Sequence, residues 1–202
     1  MKTTIYLIRH GKTLWNQEHR MQGSKNSPLT DEGKQQALLL QKRLEPISFD
    51  EIIVSTSERA QETASLVFPN QSLKLESRIR EIEMGAWEGE LHQDVKQQYP
   101  NQWHAFFNNP LHYSPVGHGE RFKDVHQRIA PVVDDIKTQY AGKTIALVSH
   151  RITLKVLTNY LINENLESIS SQQDFDSTSL TKIVMDENGT HLIYRNETSH
   201  YQ

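Results

Sequence analysis

Short apolar, β-branched runs alternate with stretches of helical period along this chain, and that alternation constrains the fold more tightly than any other feature. Thr3–Ile8, Glu51–Ser55 and Thr144–Ser149 predict buried strands, with a further short strand at Ser72–Leu75. A helix opens at Thr30-Asp31-Glu32-Gly33, with Thr30 as its N-cap and Ala37, Leu40 and Leu44 as its apolar stripe, and Pro46 ends it. Glu58 to Val67 has the same period and stops at Pro69. Phe122, Val125, Ile129, Val132, Val133, Ile136 and Tyr140 recur at three and four, which predicts an amphipathic helix kinked at Pro131. Ile152 to Ile162 predicts another helix. Leu180–Met185 and His191–Tyr194 predict two strands around the hairpin turn Glu187-Asn188-Gly189. Strands alternating with helices imply an α/β fold, a three-layer αβα domain over residues 1–202 with a mostly parallel central sheet.

The alternation fades from Glu81 to about Gly119, where Gly, Pro, Asn, His and aromatic residues crowd together. Short helices are expected around Gln93–Tyr99 and Gln102–Asn108, with Trp87 and Trp103 as packing residues. The stretch is expected to be an insertion that covers the active site like a lid.

Composition narrows the partners. A chain of 202 residues buries enough surface to fold without disulfides, and it has no cysteine, which fits a reducing cytoplasm. The net charge of -3 argues against nucleic acid. The apolar start breaks at Arg9, too early for a secretory signal, and no run is long enough to span a membrane. The protein is therefore expected to be cytoplasmic, with no membrane or nucleic-acid partner; no oligomeric state is specified. The spacings of His104, His112, His118 and His126 match no zinc pattern, so no metal is expected there.

In parallel sheets, ligands bind at the carboxyl ends of the strands. Here those ends carry Arg9-His10, Ser55 leading into Arg59, and Ser149-His150, so two histidines and two arginines converge on one rim from three segments. Those residue types suit phosphoryl transfer. The guanidinium fork matches phosphate oxygens, and a histidine can act as a nucleophile that splits one hard displacement into two easier ones. A general acid is also needed for the leaving alkoxide, and Glu81, Glu83 and Glu88 are the candidates.

Leu7-Ile8-Arg9-His10-Gly11 followed by Asn16 resembles the signature of the histidine phosphatase superfamily, in its phosphoglycerate-mutase-like branch. Gln22-Gly23, Pro28-Leu29-Thr30, Gly33 and Gln36-Ala37 resemble its next block, and Ser55 through Arg59-Ala60 with Thr63-Ala64 its second arginine motif. Arg80 through Gly89 resembles its acid motif; Gly119-Glu120 with Arg128, then Val148-Ser149-His150, complete the order. The resemblance implies a phosphatase that hydrolyses a small phosphate monoester through a phosphohistidine on His10, with Glu81 as proton donor and His150 as the second catalytic histidine. It implies Arg9, Arg59, Asn16, Gln22 and Gly23 as substrate-binding residues, and no metal or organic cofactor. Glu83 and Glu88 are then structural. Blander roles stand beside these: Arg59 as a surface helix residue paired with Glu62, and Asn16 as the cap of a turn.

Four positions depart from the family pattern. Lys12 replaces an acidic residue, Arg151-Ile152 a glycine pair, Asn26 an aspartate, and Arg121 a small hydroxyl residue. Lys12 and Arg151 place extra cations beside both histidines, which would favour a second anionic group on the substrate or simply alter loop conformation. Two alternatives share the motifs: a phosphoglycerate mutase, and a catalytically silent phospholigand-binding protein.

Overall fold

The computed structural model describes residues 1–201. A six-stranded sheet runs through the molecule in the order β3-β2-β4-β1-β5-β6. Strand β1 (Thr3–Arg9) lies at its centre, parallel to β4 (Thr144–Ser149), which pairs in parallel with β2 (Glu51–Ser55) and through it with β3 (Lys74–Glu76). Strands β5 (Leu180–Asp186) and β6 (Gly189–Glu197) close the other side as an antiparallel hairpin. The sheet is thus mostly parallel, as its sequence predicts, with an antiparallel edge.

Register decides where the site falls. Arg9 lies opposite Ser149, and Val54 opposite Val148. The carboxyl ends of β1, β2 and β4 therefore finish level, and the residues that follow them leave the sheet on one edge.

Side chains alternate across the strands and separate two cores. Tyr6, Ile8, Ile52, Val54, Ala146 and Val148 pack against helices α2 (Asp31–Leu44) and α3 (Glu58–Val67). Ile5, Leu7, Ile53, Ile145 and Leu147 pack against α6 (Phe122–Thr138) and α7 (Arg151–Leu161) on the opposite face. Thr30 caps α2 as expected, its hydroxyl accepting the Gly33 N–H at 3.0 Å. Helix α6 continues through Pro131. No helix among the described residues is long and apolar enough to cross a membrane.

Differences from expectation lie at the margins. Strand β3 begins two residues late; it is an edge strand with Leu75 half exposed, so no buried face fixes its limits in the sequence. Strand β6 is longer than the expected His191–Tyr194 because main-chain pairing with β5 continues past the apolar residues. A four-residue helix, α1 (Leu14–Gln17), is too short to leave a period. Between residues 81 and 119, where α4 (His92–Gln98) and α5 (Pro100–Asn108) lie, an aromatic cluster extends the core of the α6/α7 face. Trp87 is fully buried there, with ring centroids of Tyr113, Phe106, Trp103 and Tyr99 at 5.4, 5.7, 6.3 and 6.4 Å. Phe106 meets Phe122 at 5.3 Å, which joins this segment to α6.

Candidate active site

The end of β1 delivers Arg9 and His10. His10 is buried, and its Nδ1 lies 2.8 Å from the Gly11 carbonyl, an oxygen that can only accept. Nδ1 therefore carries the proton and Nε2 a lone pair, to which Arg59 Nε donates at 3.3 Å. Burial, then the charges of Arg59 and Arg9, hold the ring well below the ordinary imidazole pKa, so it is neutral near pH 7. A neutral imidazole with an unprotonated Nε2 is the nucleophilic form. The turn after it is fixed from two sides: Gly11 N–H donates to Thr63 Oγ1 at 2.9 Å, and Gly33 packs so close that a Cβ would stand 2.3 Å from the Lys12 carbonyl.

Arg59 sits in the first turn of α3 and is only 1% exposed. Its Nη1 donates to the Lys25 carbonyl and its Nη2 to the Gly23 carbonyl, both at 2.8 Å. It makes no pair with Glu62, which joins Lys34 at 3.1 Å instead, so the surface role for Arg59 is excluded. Burial lowers the guanidinium to about 10, and the charge of Glu81 works against that shift. Gly23 has a φ of +54°, and a Cβ there would stand 2.2 Å from Glu88 Oε1. Arg9 Nη1 donates to the Phe175 carbonyl at 2.5 Å, while its buried Nε has no partner.

His150 is fully buried at the end of β4. Its ring centroid lies 5.1 Å from that of His10, and its Nε2 2.7 Å from Ser55 Oγ. Its Nδ1 is buried with no hydrogen-bond partner. Burial, then Arg59, hold this ring too well below the usual imidazole range. Glu81 is held against the start of α7. Its Oε2 accepts the Ile152 N–H at 3.2 Å, and its Oε1 accepts the N–H groups of Thr153 and Ile82 at 3.1 and 3.0 Å. Glu83 and Glu88 are occupied elsewhere. Glu83 pairs with Arg80, while Glu88 accepts from the Ser24 and Met84 N–H groups and so ties the acid loop to the Gly23 turn.

Asn16 caps a turn and stands on the cavity wall; its Oδ1 accepts the Thr13 N–H at 3.1 Å. Gln22 Oε1 lies 3.3 Å from Thr13 Oγ1, and its buried Nε2 is unpartnered.

A cavity of about 430 Å³ opens on this rim. Arg9, His10, Asn16, Gln22, Gly23, Arg59 and Glu81 all line it; His150 lies behind the wall rather than on it. Met21, Met84, Phe106 and Ile152 give the cavity an apolar side, with His19 and His92 nearby. Asp174, Asp176 and Ser177 form a further wall that sequence reasoning missed. They belong to a polar, aperiodic stretch between the short 3₁₀ helix Leu166–Ser171 and β5, which carries no signal linking it to the site.

The cations at the mouth are already paired. Lys12 Nζ is 2.6 Å from Glu32, Arg20 Nε is 2.6 Å from Glu18, and Arg151 Nε is 2.8 and 2.7 Å from the two oxygens of Asp174. The extra positive charge read from Lys12 and Arg151 is therefore matched locally. The other departures are structural: Asn26 Oδ1 accepts the Arg59 N–H at 3.3 Å, and Arg121 N–H donates to Asp124 at the start of α6. His126 stacks on Tyr160 at 4.5 Å, while His104 and His112 face Asn108 and Asn109.

The α/β fold thus gathers two histidines and two arginines at the level ends of its parallel strands. The chain belongs to the histidine phosphatase superfamily (branch 1), whose family model matches residues 5–198. It is similar in structure to Bacillus stearothermophilus YhfR, with a TM-score of 0.91 and 39% identity, covering 99% of this chain and 100% of the other. It is 28% identical over 198 residues to phosphoserine phosphatase 1 of Hydrogenobacter thermophilus, across 97% of this chain and 93% of that protein. It is 32% identical over 160 residues to the probable phosphoglycerate mutase GpmB of an Enterobacter species, across 78% of this chain and 74% of that protein.

Proposed function

We propose that this protein hydrolyses small phosphate monoesters in two steps through a phosphohistidine on His10. The observation that carries the proposal is the state of His10: a buried, neutral ring whose Nδ1–H is spent on Gly11 and whose Nε2 faces Arg59. In the first step Nε2 attacks phosphorus while the ester P–O bond breaks, and the departing alkoxide takes a proton from Glu81. In the second step water attacks the phosphohistidine, Glu81 takes a proton from it, and phosphate leaves with His10 restored. Arg9, Arg59, Asn16 and Gln22 surround the equatorial oxygens with donors, and His150 adds another from behind. These groups supply the positive charge themselves, so no metal or cofactor is required. Residues 81–119 act as a cover over the leaving-group side, to which they contribute Met84, His92 and Phe106.

Relatives named as probable phosphoglycerate mutases keep isomerisation in view as a second reading. The pairing of Lys12, Arg20 and Arg151 with carboxylates favours hydrolysis, because a phosphoglycerate brings a carboxylate that needs a free cation beside the phosphate. Incubation with phosphoglycerates and with a panel of alkyl and aryl phosphates, scored for released phosphate and for isomerised product, separates the two. Phosphate release dominating throughout is expected; isomerisation outpacing release would establish the mutase.

A further inference from the structure

Ser55 ends β2, fully buried, with its Oγ 2.7 Å from His150 Nε2. A neutral imidazole carries one ring proton, and burial among Arg59, Arg9 and Arg128 keeps His150 neutral. The contact with Ser55 therefore takes one of two forms. Either Nε2–H donates to the hydroxyl and Nδ1 is bare, or the hydroxyl donates to Nε2 and Nδ1 carries the proton.

The surroundings of Oγ choose between them. Ser55 Oγ accepts the Ser57 N–H at 3.3 Å, which engages one of its two lone pairs and leaves its own proton for the nearest acceptor, Nε2 at 2.7 Å. The one other acceptor beside it is Ser57 Oγ, at 3.3 Å, much farther than Nε2. The surroundings of Nδ1 point the same way. It is buried and unpartnered, on a ring 5.1 Å from His10. A bare lone pair there would repel a phosphoryl dianion, whereas an N–H would donate to it.

We infer that Ser55 is a positioning residue for His150: its hydroxyl donates to Nε2 and so fixes the tautomer that presents Nδ1–H to the phosphoryl group. Ser55 touches no substrate; it acts through the ring. This role rests on the phosphatase reading for its consequence, though the tautomer itself is a property of the resting protein.

Nitrogen-15 spectra of histidine-labelled, ligand-free protein read the tautomer directly, with the His150 resonances assigned by their loss in His150→Gln. Wild type should show a protonated Nδ1 and a bare Nε2. In Ser55→Ala the preference should relax toward Nε2–H, with kcat falling tenfold or more and the affinity for inorganic vanadate falling with it. Ser55→Thr, which keeps the hydroxyl, should retain the wild-type tautomer. An Nε2–H tautomer in wild type would overturn the inference even if Ser55→Ala did not fold. So would a folded Ser55→Ala with unchanged tautomer and kcat. If wild type showed Nδ1–H but formed no phosphoenzyme, the phosphatase reading would fail and the tautomer assignment would stand.

Discussion

Three glutamates lie close together in sequence near the site, and their contacts separate their duties. Only Glu81 stands on the cavity wall; Glu83 is bound to Arg80 and Glu88 to the Ser24 turn. A positioned acid is worth roughly 10²–10⁴-fold when the leaving alkoxide is poor, and little when it departs unaided. Glu81→Gln should therefore depress steady turnover of an alkyl phosphate far more than the initial burst from nitrophenyl phosphate, and Glu83→Gln should show no such selectivity. Burst and steady-state rates on the two substrates check this; the selective pattern appearing in Glu83→Gln instead would move the acid. At this scale much of the site is legible in the sequence, because His10, Arg59 and His150 follow strands whose ends the register brings level. What is not legible is hydrogen-bond direction: nothing in the order of residues says that Nδ1 of His10 is spent on Gly11 or that Nε2 of His150 meets Ser55.

At the scale of elements, the rim is closed by ion pairs between segments distant in the chain. Arg151, at the start of α7, grips Asp174 in the stretch before β5, with Lys155 3.5 Å from the same carboxylate. Burial alone would raise the Asp174 carboxyl, but the hydrogen bonds and charge of Arg151 prevail and hold it at about 2, so the pair persists at all but strongly acid pH. Asp174→Asn should free Arg151 toward the cavity. The ratio of kcat/KM for a phosphoglycerate to that for nitrophenyl phosphate should then rise several-fold; an unchanged ratio would show that Arg151 takes no part in selecting substrate. From sequence Arg151 reads as surplus charge because its partner lies 23 positions away in a stretch without periodicity. The aromatic core around Trp87 is hidden for the same reason: the strand–helix alternation is absent between residues 81 and 119, although packing there is dense.

Across the whole molecule, two neutral histidines are buried at the sheet edge, and this ties stability to pH. The unfolded chain protonates them near 6.5, whereas in the folded state burial, then Arg59, keep both well below that value. The folded state thus binds fewer protons. Stability is full above about pH 6.5 and is lost as pH falls below it, by up to about 1.4 kcal/mol per pH unit for each ring. Urea midpoints taken from about pH 7.5 down to pH 5 should fall, and His10→Gln and His150→Gln should each flatten the slope. An equal slope in both variants would place the acid sensitivity elsewhere. The layered fold is the most legible feature of all. Alternate residues of β1, β2 and β4 are apolar on both faces, a pattern that only a sheet covered on both sides satisfies. The edge strands β3 and β6 are the least legible, since neither has a buried face to set its pattern.

The central claim is the covalent role of His10, and trapping tests it most directly. Wild-type protein mixed with radiolabelled substrate and quenched within milliseconds under alkaline denaturing conditions should carry label that is stable to alkali and labile to acid. Peptide mapping should place that label on His10, and His10→Ala should carry none and turn nothing over. Label persisting at full level in His10→Ala, or wild-type turnover with no labelled protein at any time, would contradict the account.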